Sequence, residues 1–450
     1  MVALCFANGL QGGMSSTFAQ STDALKHTFH VNDAALGVVP FGVALAGNLG
    51  AVAIAALCMR HRRTAVLAGM FVVWGVLIAL AGLSPSSVFG VTALGFLLFA
   101  GLRIASAVTE ATDPATYPLI ADWWPVEQRA AKVSVFNTLG AVGAITGLIA
   151  AGVLVDQGLW RLAFVIWLPL ALVGAVLIRS RAEPTRGAQD AEYRDRLEEE
   201  TIGEEHDLVV RVVEGEAAPV PDPAEEVGEG RWAVMRAVAR LRSWRLAAIG
   251  LAVSGLMGSA LMNWGIPYFK RTFGLSGTEA AGLAPLLGLG AFAGVLGGGF
   301  LADRLLAKGM LRARLYVTAF GFAGAGVLLL FAFSTTRLAV AAPLLGIGTG
   351  LSTLPIGPQF ALMMDVTPAA LRSQASAALN VLQATGALGS LLVGGLSTLF
   401  GENLRLALLC VSPFYLLGAF IVLAARKTYI EDVAFVVAAA KTRDTSAPDP

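Results

Sequence analysis

Long runs of apolar residues follow one another along the chain, separated by short polar stretches. A run of about 20 apolar residues is long enough to cross the hydrocarbon core of a bilayer as an α-helix. Six such runs precede a charged stretch, near 2–22, 35–58, 65–83, 89–120, 131–155 and 160–179. Six more follow it, near 246–269, 279–302, 315–333, 338–364, 374–400 and 405–425. The pattern predicts an all-α membrane protein with about twelve transmembrane helices in two bundles of six.

The composition supports this interpretation. Of the 450 residues, 56% are hydrophobic and 14% are charged, whereas an ordinary soluble domain has about 25% charged residues. Soluble enzymes, nucleic-acid-binding proteins and disordered chains are therefore poor interpretations. Residues 181–245 alone carry 26 of the 63 charged residues, which indicates a linker. We expect an N-terminal bundle at 1–180, a charged linker at 181–245, a C-terminal bundle at 246–427 and a tail at 428–450.

The short loops predict the orientation of the chain. Cytoplasmic loops carry more Lys and Arg than external ones, and twelve such residues lie in the loops of one side against six on the other. The richer side holds both termini and the linker, so we expect these to be cytoplasmic, in the cell (inner) membrane. The N-terminus has no basic region or cleavage site before its first apolar run, which predicts a retained span instead of a signal peptide.

The residue types that build metal sites and catalytic centres are scarce. The three cysteines lie far apart in apolar segments, at positions Cys5, Cys58 and Cys410. Their spacing predicts buried apolar packing, with no disulfide framework and no metal site. The four histidines all lie in polar stretches between apolar runs. We therefore expect no metal, no cofactor and no enzymatic activity.

The two groups of six spans are copies of one unit. Shifting the chain against itself by 243 residues places Asp122 on Asp365, Arg129 on Arg372, Asn137 on Asn380 and Gly143 on Gly386. A parallel repeat of this kind is typical of two-bundle secondary transporters that bind substrate between the bundles and work by alternating access.

The repeat also separates the scaffold from a candidate site. At the same shift Arg103 falls on Gly346, Glu110 on Thr353 and Asp113 on Ile356. A charge near mid-membrane costs about 2.5 to 3.5 kcal/mol, so charges found in one copy only are typical of a functional cavity.

The spacing of these charges predicts their geometry. On a continuous helix a separation of seven residues leaves Arg103 and Glu110 on one face, and Asp113 one turn beyond Glu110. A protonatable pair beside a fixed cation indicates proton coupling or substrate binding; the alternative is a static ion pair. Pro114 and Pro118 predict a kink in this span.

Polar residues of the first and seventh spans are candidates for the same cavity. They are Asn8 and Gln11 in the first span and Asn263, Trp264 and Tyr268 in the seventh. Hydrogen bonding between helices is an equally good interpretation for each of them.

The loop after the eighth span carries a recognisable motif. Gly299-Phe300-Leu301-Ala302-Asp303-Arg304 resembles the loop motif of the major facilitator superfamily. In that family the carboxylate and arginine belong to charge networks that latch the bundles on the cytoplasmic side. The resemblance therefore implies a cytoplasmic gate at Gly299, Asp303 and Arg304, with Asp122/Arg129 and Asp365/Arg372 as further latch pairs. The alternative is a topology determinant without a gating role. In the first copy Met59 replaces the carboxylate, which predicts a weaker latch.

Within that superfamily several motifs resemble the spinster-type lipid transporters. They are Arg103-x6-Glu110-Ala111, Asp122-x6-Arg129, and the run from Asp365 to Arg372. The family exports lysophospholipids or sphingoid phosphates, some members with proton coupling. The resemblance implies that Glu110 carries the proton and that Arg103 is its partner or binds an anionic headgroup. Met14 and Ser15 stand where the family usually has an Asp-Arg pair, so one proton site is absent, and Asp113 is a candidate replacement.

Other classes of function remain open. The organic anion:cation symporters of the same superfamily share the Arg-x6-Glu-Ala spacing, and a drug-like amphiphile suits a cavity with one cation. A transport-dead scaffold or receptor is a further alternative, against which the retained Arg103 and Glu110 argue. We expect a proton-coupled transporter of an amphiphilic, lysophospholipid-like substrate, with the lipid bilayer, protons and that substrate as partners and no nucleic acid. The sequence leaves the oligomeric state open, with a monomer favoured.

Overall fold

The computed structural model describes residues 1–31, 33–190, 192–193, 238, 240–275, 283–401 and 403–444. It divides into two units: the first comprises Met1–Leu119 and Val135–Pro184, and the second comprises Ile120–Ser134 and Thr185–Pro450. The short segment Ile120–Ser134, which joins the fourth and fifth spans, thus packs as part of the second unit. Most of the predicted linker, residues 194–237, lies outside the described residues.

Nine helices of the described residues lie between Met1 and Arg179. They are α1 (Val2–Gln20), α2 (Thr22–Phe29), α3 (Asp33–Arg60), α4 (Arg63–Gly82), α5 (Thr92–Val108), α6 (Asp113–Trp123), α7 (Arg129–Asp156), α8 (Trp160–Val165) and α9 (Trp167–Arg179). A 3-10 turn at Val126–Gln128 connects α6 with α7. Helices α8 and α9 together correspond to one predicted span, because Ile166, which joins them, has the backbone angles of a right-handed α-helix.

Ten further helices of the described residues follow the linker. They are α10 (Arg242–Phe273), α11 (Ala284–Leu306), α12 (Ala313–Ser334), α13 (Leu338–Thr353), α14 (Ile356–Asp365), α15 (Arg372–Gln383), α16 (Leu388–Leu399), α17 (Leu404–Val411), α18 (Pro413–Ala424) and α19 (Tyr429–Asp444). The predicted tail therefore begins with a helix, and the side chains of Tyr429, Ile430 and Ala434 are buried.

Eleven segments of the described residues are helical, long and apolar enough to cross a membrane. They match the second to twelfth predicted spans. Helix α1 is less apolar because it carries Asn8, Gln11 and Gln20, and with it the number is twelve. The predicted all-α membrane architecture is confirmed. Many large apolar side chains lie on the outside, among them Leu97 and Val176, as expected for helices that face lipid.

The fourth and tenth spans are broken at matching points of the repeat. Helix α5 ends at Val108 and α6 begins at Asp113, while α13 ends at Thr353 and α14 begins at Ile356. At the shift of 243, residues 109–112 fall on 352–355, so the break belongs to the scaffold of both copies. Pro114 lies in the first turn of α6, where a missing N–H costs no helical hydrogen bond. The predicted kink is therefore a complete interruption of the helix.

Glycines allow α1 and α7 to pack backbone to backbone. A Cβ atom added at Gly143 would lie 2.0 Å from the carbonyl oxygen of Gly9, and one at Gly147 would lie 2.3 Å from the Cα of Gly13. Small residues at such crossings let membrane helices approach closely. The prediction of buried cysteines holds for Cys5 and Cys58 but is wrong for Cys410, which is exposed.

Candidate functional site

The structure brings Arg103 and Glu110 together in the first unit. The Arg103 Nη1 atom lies 2.7 Å from Glu110 Oε1, and its Nη2 atom lies 3.5 Å from Oε2. Arg103 belongs to α5, but Glu110 lies in the break after it, so the continuous helix assumed from the sequence is wrong while the predicted contact is right. The interruption turns the chain so that the carboxylate meets the guanidinium.

The pair is buried unevenly. The side chain of Arg103 is 4% exposed and that of Glu110 is 19% exposed. Ser106 Oγ accepts a further hydrogen bond from Arg103 Nη1 at 2.9 Å. Arg103 Nε is buried and has no hydrogen-bond partner among the described residues. A buried donor without an acceptor is costly unless a ligand or water satisfies it, so this guanidinium has capacity to bind an anion.

Trp74 is a member of the site that the sequence analysis missed. Its indole Nε1 donates to Glu110 Oε1 at 3.0 Å, and the residue is fully buried in α4. Glu110 Oε1 therefore accepts two close hydrogen bonds, one from Arg103 and one from Trp74. A tryptophan in mid-span needs an acceptor for its N–H, and this requirement was the signal that could have linked it to the intramembrane carboxylate.

Gln11 of α1 approaches the same break, which is the contact between helices that the sequence analysis gave as the alternative to a cavity role. Its Nε2 lies 3.4 Å from the carbonyl oxygen of Glu110, and Thr112 Oγ1 lies 3.4 Å from its Oε1. Asp113 is the half-buried first residue of α6. The prediction that Asp113 follows Glu110 by one helical turn is wrong, because residues 109–112 are not helical.

The remaining cavity candidates mostly make structural contacts. Asn8 Nδ2 donates to the carbonyl oxygen of Phe136 on α7 at 2.8 Å, and Trp264 Nε1 donates to that of Ser390 on α16 at 2.9 Å. The alternative of hydrogen bonding between helices is thus supported for both. Asn263 is exposed and donates to the carbonyl oxygen of Ser259 in its own helix at 2.9 Å.

Tyr268 is packed in an aromatic cluster instead of lining open space. It is 0% exposed, its ring contacts those of Phe269, Phe273 and Phe333, and its hydroxyl lies 3.3 Å from the carbonyl oxygen of Ala332. Its hydroxyl contact with Ala332 of α12 supports the alternative of hydrogen bonding between helices for Tyr268 as well.

A second set of charged residues lies in the second unit. We define the charge cluster as Asp122, Arg129, Asp190, Asp303, Arg314, Asp365 and Arg372, all of which are buried. The sequence analysis expected Asp122 to pair with Arg129 and Asp365 with Arg372. The structure exchanges the partners: Arg372 Nη1 lies 3.0 Å from Asp122 Oδ1, and Arg129 Nη1 lies 3.3 Å from Asp365 Oδ1.

The reason for the exchange lies at the helix ends. Arg129 and Arg372 are the first residues of α7 and α15, and each donates from Nε to a carbonyl oxygen near the end of the preceding helix. Arg129 donates to Ala121 at 3.1 Å and Arg372 donates to Met364 at 3.2 Å. These bonds leave each guanidinium's other nitrogens to reach the carboxylate of the other repeat. The two cross pairs are therefore related by the repeat.

Arg314, not Arg304, is the partner of Asp303. Arg314 Nη2 lies 3.2 Å from Asp303 Oδ1 and also bonds the carbonyl oxygen of Val126, while Nη1 bonds Asp365. Arg304 is exposed, and no ion pair joins it to another residue that the structure describes. The predicted latch role of Arg304 is not supported, because α11 turns this side chain away from the cluster.

Asp303 also caps a helix. Its two carboxylate oxygens accept from the backbone N–H groups of Ala130 at 3.3 Å and Ala131 at 2.7 Å, in the first turn of α7. A carboxylate at a helix N-terminus satisfies orphan donors and interacts favourably with the helix dipole. Asp303, near the end of α11, thereby holds the segment that joins the fourth and fifth spans.

Gly299 allows the same approach. A Cβ atom at Gly299 would lie 2.3 Å from Ser134 Oγ and 2.7 Å from the carbonyl oxygen of Ala130. Gly357 on α14 faces the same two atoms at 2.0 Å and 2.6 Å. The predicted gate glycine thus lies at the contact between α11 and the start of α7, and Gly357 is a second glycine of the same contact.

Two further residues of the cluster region come from segments outside the spans. Asp190 lies in the predicted linker, and Tyr429 begins α19, where its hydroxyl donates to Asp365 Oδ2 at 3.2 Å. Burial raises the pKa of Tyr429 well above its ordinary value, and the nearby Asp365 charge raises it further. The tyrosine therefore remains a hydrogen-bond donor. Both residues lie outside the paired spans, in the predicted linker and tail, so the comparison of the two copies did not extend to them.

The first unit has a different ion pair, at the start of its third span, α4. Glu183 Oε1 lies 2.9 Å from Arg63 Nε, and its Oε2 accepts from the backbone N–H and the hydroxyl of Thr64 at 2.9 Å and 2.8 Å. Burial opposes ionisation, but the hydrogen bonds from Thr64 and Arg63 outweigh it and lower the pKa of Glu183. Met59, which replaces the motif carboxylate, is exposed.

Comparisons with known proteins agree with this architecture. Residues 3–389 match the model of the Major Facilitator Superfamily. A protein described as an MFS-type efflux pump, from Mycolicibacterium smegmatis, is 26% identical over 426 residues, which cover 91% of this chain and 88% of the relative.

Two of the solved structures that share the fold illustrate the likeness. The transporter FucP in the outward conformation has a TM-score of 0.69 at 13% identity, covering 94% of this chain and 98% of its own. A bacterial homolog of the human lysosomal transporter Spinster, inward-facing and occupied, has a TM-score of 0.52 at 19% identity, covering 96% and 97%. At these identities the likeness concerns the fold alone.

Proposed function

This chain belongs to the major facilitator superfamily of membrane transporters, and from that premise we propose that it is a secondary active transporter coupled to protons. It works by alternating access and moves an amphiphilic substrate with an anionic group. The observation that carries the proposal is the buried contact between Arg103 and Glu110. The contact lies at a break in the fourth span, and the tenth span is broken at the matching point. Only the first copy has charged residues there.

Proton binding changes what the pair can hold. When Glu110 is ionised, it occupies Arg103 Nη1 and accepts from Trp74. A proton on the carboxylate cancels its charge and weakens both bonds, because charge-assisted hydrogen bonds are roughly twice as strong as neutral ones. The freed guanidinium donors, together with the unpartnered Nε, then bind the anionic group of the substrate. Proton and substrate thereby favour different arrangements of the same site.

The charge cluster is the proposed cytoplasmic gate. Its members lie at the helix ends beside the loops that follow the fourth, eighth and tenth spans, with Asp190 from the linker, and two of its ion pairs join the two copies of the repeat. In the proposed cycle these pairs form when the protein is closed to the cytoplasm and part when it opens. The excess of basic residues on this side of the sequence supports a cytoplasmic position for both termini and the linker, in the cell membrane.

A lysophospholipid-like substrate is the first candidate. A single intramembrane cation suits one anionic headgroup, and the apolar and glycine-rich helix surfaces suit an acyl chain. The resemblance of the Arg103-x6-Glu110-Ala111 motif to the spinster-type transporters supports the same class.

A drug-like amphiphile or organic anion is the second candidate. The efflux pump that is 26% identical to this chain favours it, since the match covers most of both proteins. A substrate of this class uses the same cation and the same proton site, so the two candidates differ in cargo and share the mechanism.

The test is flux into proteoliposomes of a labelled lysophospholipid under an imposed pH gradient. We compare the parent protein with Glu110→Gln and with the control Asp156→Asn, which removes an exposed carboxylate at the end of α7. We expect gradient-stimulated flux in the parent and the control, and none in Glu110→Gln.

The outcomes separate the parts of the proposal. Flux that is insensitive to the gradient and to Glu110→Gln contradicts the proton mechanism. Reconstituted, folded parent protein that moves no lysophospholipid contradicts the lipid substrate, and the same assay with a fluorescent amphiphilic dye then tests the second candidate. Absence of gradient-stimulated flux for both probes overturns the function proposed here.

A further inference from the structure

The first residues of the predicted linker are docked on the charge cluster. The backbone N–H of Gly187 donates to Asp122 Oδ1 at 3.0 Å, and the backbone N–H of Asp190 donates to the carbonyl oxygen of Gly187 at 2.9 Å. Gly187 has a φ of +78°, a left-handed conformation that favours glycine. A Cβ atom there would lie 3.2 Å from the Cβ of Ala369. The segment thus makes a tight turn against the end of α6 and the loop that precedes α15.

Asp190 joins the two repeat-related arginines. Its Oδ1 lies 2.7 Å from Arg129 Nη2, and its Oδ2 lies 2.6 Å from Arg372 Nη2. Both arginines already have a carboxylate partner from the other repeat, so the cross pairs are complete without the linker. Asp190 adds a bridge that ties the first residue of α7 to the first residue of α15.

The burial of Asp190 makes this bridge strong. The residue is 4% exposed. Burial alone disfavours a charged carboxylate, but the charges of Arg372 and Arg129 outweigh this effect and lower the pKa of Asp190. The side chain is therefore ionised at neutral pH and makes two charge-assisted hydrogen bonds in a site shielded from water, where such bonds are strongest.

We propose that the linker segment 185–190 is a strap on the gate, and that Asp190 is a gate residue that must release at least one arginine before the gate opens. This inference rests on the proposed function, in which Arg129 and Arg372 part during the cycle. One carboxylate cannot hold both arginines once they separate. Opening therefore requires movement of the linker, and anything that restrains or displaces the linker changes how often the gate opens.

The experiment measures how fast a buried cysteine near the gate reacts with a maleimide in the full-length protein. The natural cysteines are replaced by alanine, and Ser373→Cys, a 7% exposed position beside Arg372, is the reporter. A second reporter, Ser397→Cys, is 2% exposed on α16 and detects general loosening. Each reporter is combined with Asp190→Asn or with the control Glu192→Gln, which removes an exposed carboxylate bonded to Gln189 at 3.1 Å.

We expect Asp190→Asn to raise the labelling rate at Ser373→Cys by about tenfold or more, because the substitution weakens two hydrogen bonds to charged groups. Labelling at Ser397→Cys and the effect of Glu192→Gln should stay within about twofold, since both lie away from the bridge. Equal increases at the two reporters mean that Asp190 only stabilises the fold, and this result overturns the inference.

A third variant distinguishes failure of the strap from failure of the gate. Asp122→Asn breaks a cross pair with Arg372 directly. If Asp122→Asn raises labelling and Asp190→Asn does not, the strap is wrong and the gate stands. If neither variant raises labelling of a folded protein, the charge cluster is not a gate, and the proposal that Asp190 straps it is also wrong. Asp190→Glu, which retains the charge, should restore part of the slow labelling.

Discussion

Asp303 of the loop motif is followed in sequence by Arg304, but in the structure it pairs with Arg314. This difference gives the sharpest prediction. The sequence motif points to Arg304, whereas the structure places Arg314 in the charge cluster. We therefore compare Arg314→Met with Arg304→Met. Methionine keeps a long apolar side chain and removes only the charged group in both cases.

The magnitude follows from the contacts of Arg314. Removing one partner of a buried ion pair costs about 3–5 kcal/mol, because a charge is left without compensation. Asp303 retains the backbone N–H of Ala131 at 2.7 Å, and Asp365 retains Arg129 at 3.3 Å. We therefore expect the lower end of the range, about 3 kcal/mol. With a midpoint shift of about 2–4 °C per kcal/mol for domains of 150–250 residues, this corresponds to about 6–12 °C.

The assay is thermal unfolding of the purified protein in detergent, followed by tryptophan fluorescence at one fixed scan rate, since unfolding of membrane proteins is often irreversible. Arg314→Met should lower the midpoint by the amount given above. Arg304→Met should change it by less than about 2 °C, as is usual for exposed side chains without partners. Adding Asp303→Asn to Arg314→Met should restore part of the loss, because the uncompensated carboxylate is then neutral.

Two outcomes refute this reasoning. Equal losses for Arg304→Met and Arg314→Met mean that the motif arginine also belongs to the network. A parent-like midpoint for Arg314→Met means that the cluster contributes little to stability, whatever its geometry.

Three further predictions concern other sites. Gly299→Ala places a Cβ 2.3 Å from Ser134 Oγ and 2.7 Å from a backbone carbonyl oxygen, which should cost about 1–3 kcal/mol; a lower unfolding midpoint that Ser134→Ala partly restores supports this, and an unchanged midpoint contradicts it. Trp74→Phe removes the indole donor to Glu110 and should reduce gradient-driven flux severalfold without loss of folded protein; unaltered flux means that the bond plays no part in coupling. The lowered pKa of Glu183 means that its ionised form stabilises the fold above the unfolded-state pKa and that this contribution is lost as pH falls. Glu183→Gln should therefore lower the midpoint at pH 7, with the gap closing below about pH 4; a gap that persists in acid contradicts the linkage.

The span pattern and the internal repeat determined the fold class. Apolar length is a local property, and it predicted the eleven long helices together with the more polar α1. The repeat also identified Arg103 and Glu110, since a charge without a counterpart in the other copy is visible in the sequence. The prolines marked the break of the fourth span, although the sequence did not show that the break is complete.

Side-chain partners depended on tertiary structure. The cross pairing of Asp122 with Arg372 and of Asp365 with Arg129 depends on where helix ends meet, over more than 230 residues of sequence separation. The contact of Trp74 with Glu110 also depends on tertiary structure, because Trp74 lies on α4 and Glu110 follows α5. Sequence patterns record which residues are polar, but the distance and direction between two helices decide which polar residues touch.

The sequence by itself thus determined the membrane spans, their number and the repeat, because these follow from hydrophobicity and from comparison within the chain. Only the tertiary structure decided that Arg314 replaces Arg304 and that Asp190, in a segment with the composition of a solvated linker, is buried between two arginines. Burial of a charge is stable only where partners converge from distant parts of the chain. That convergence is a property of the packed fold, and no local pattern around Asp190 or Arg314 encodes it.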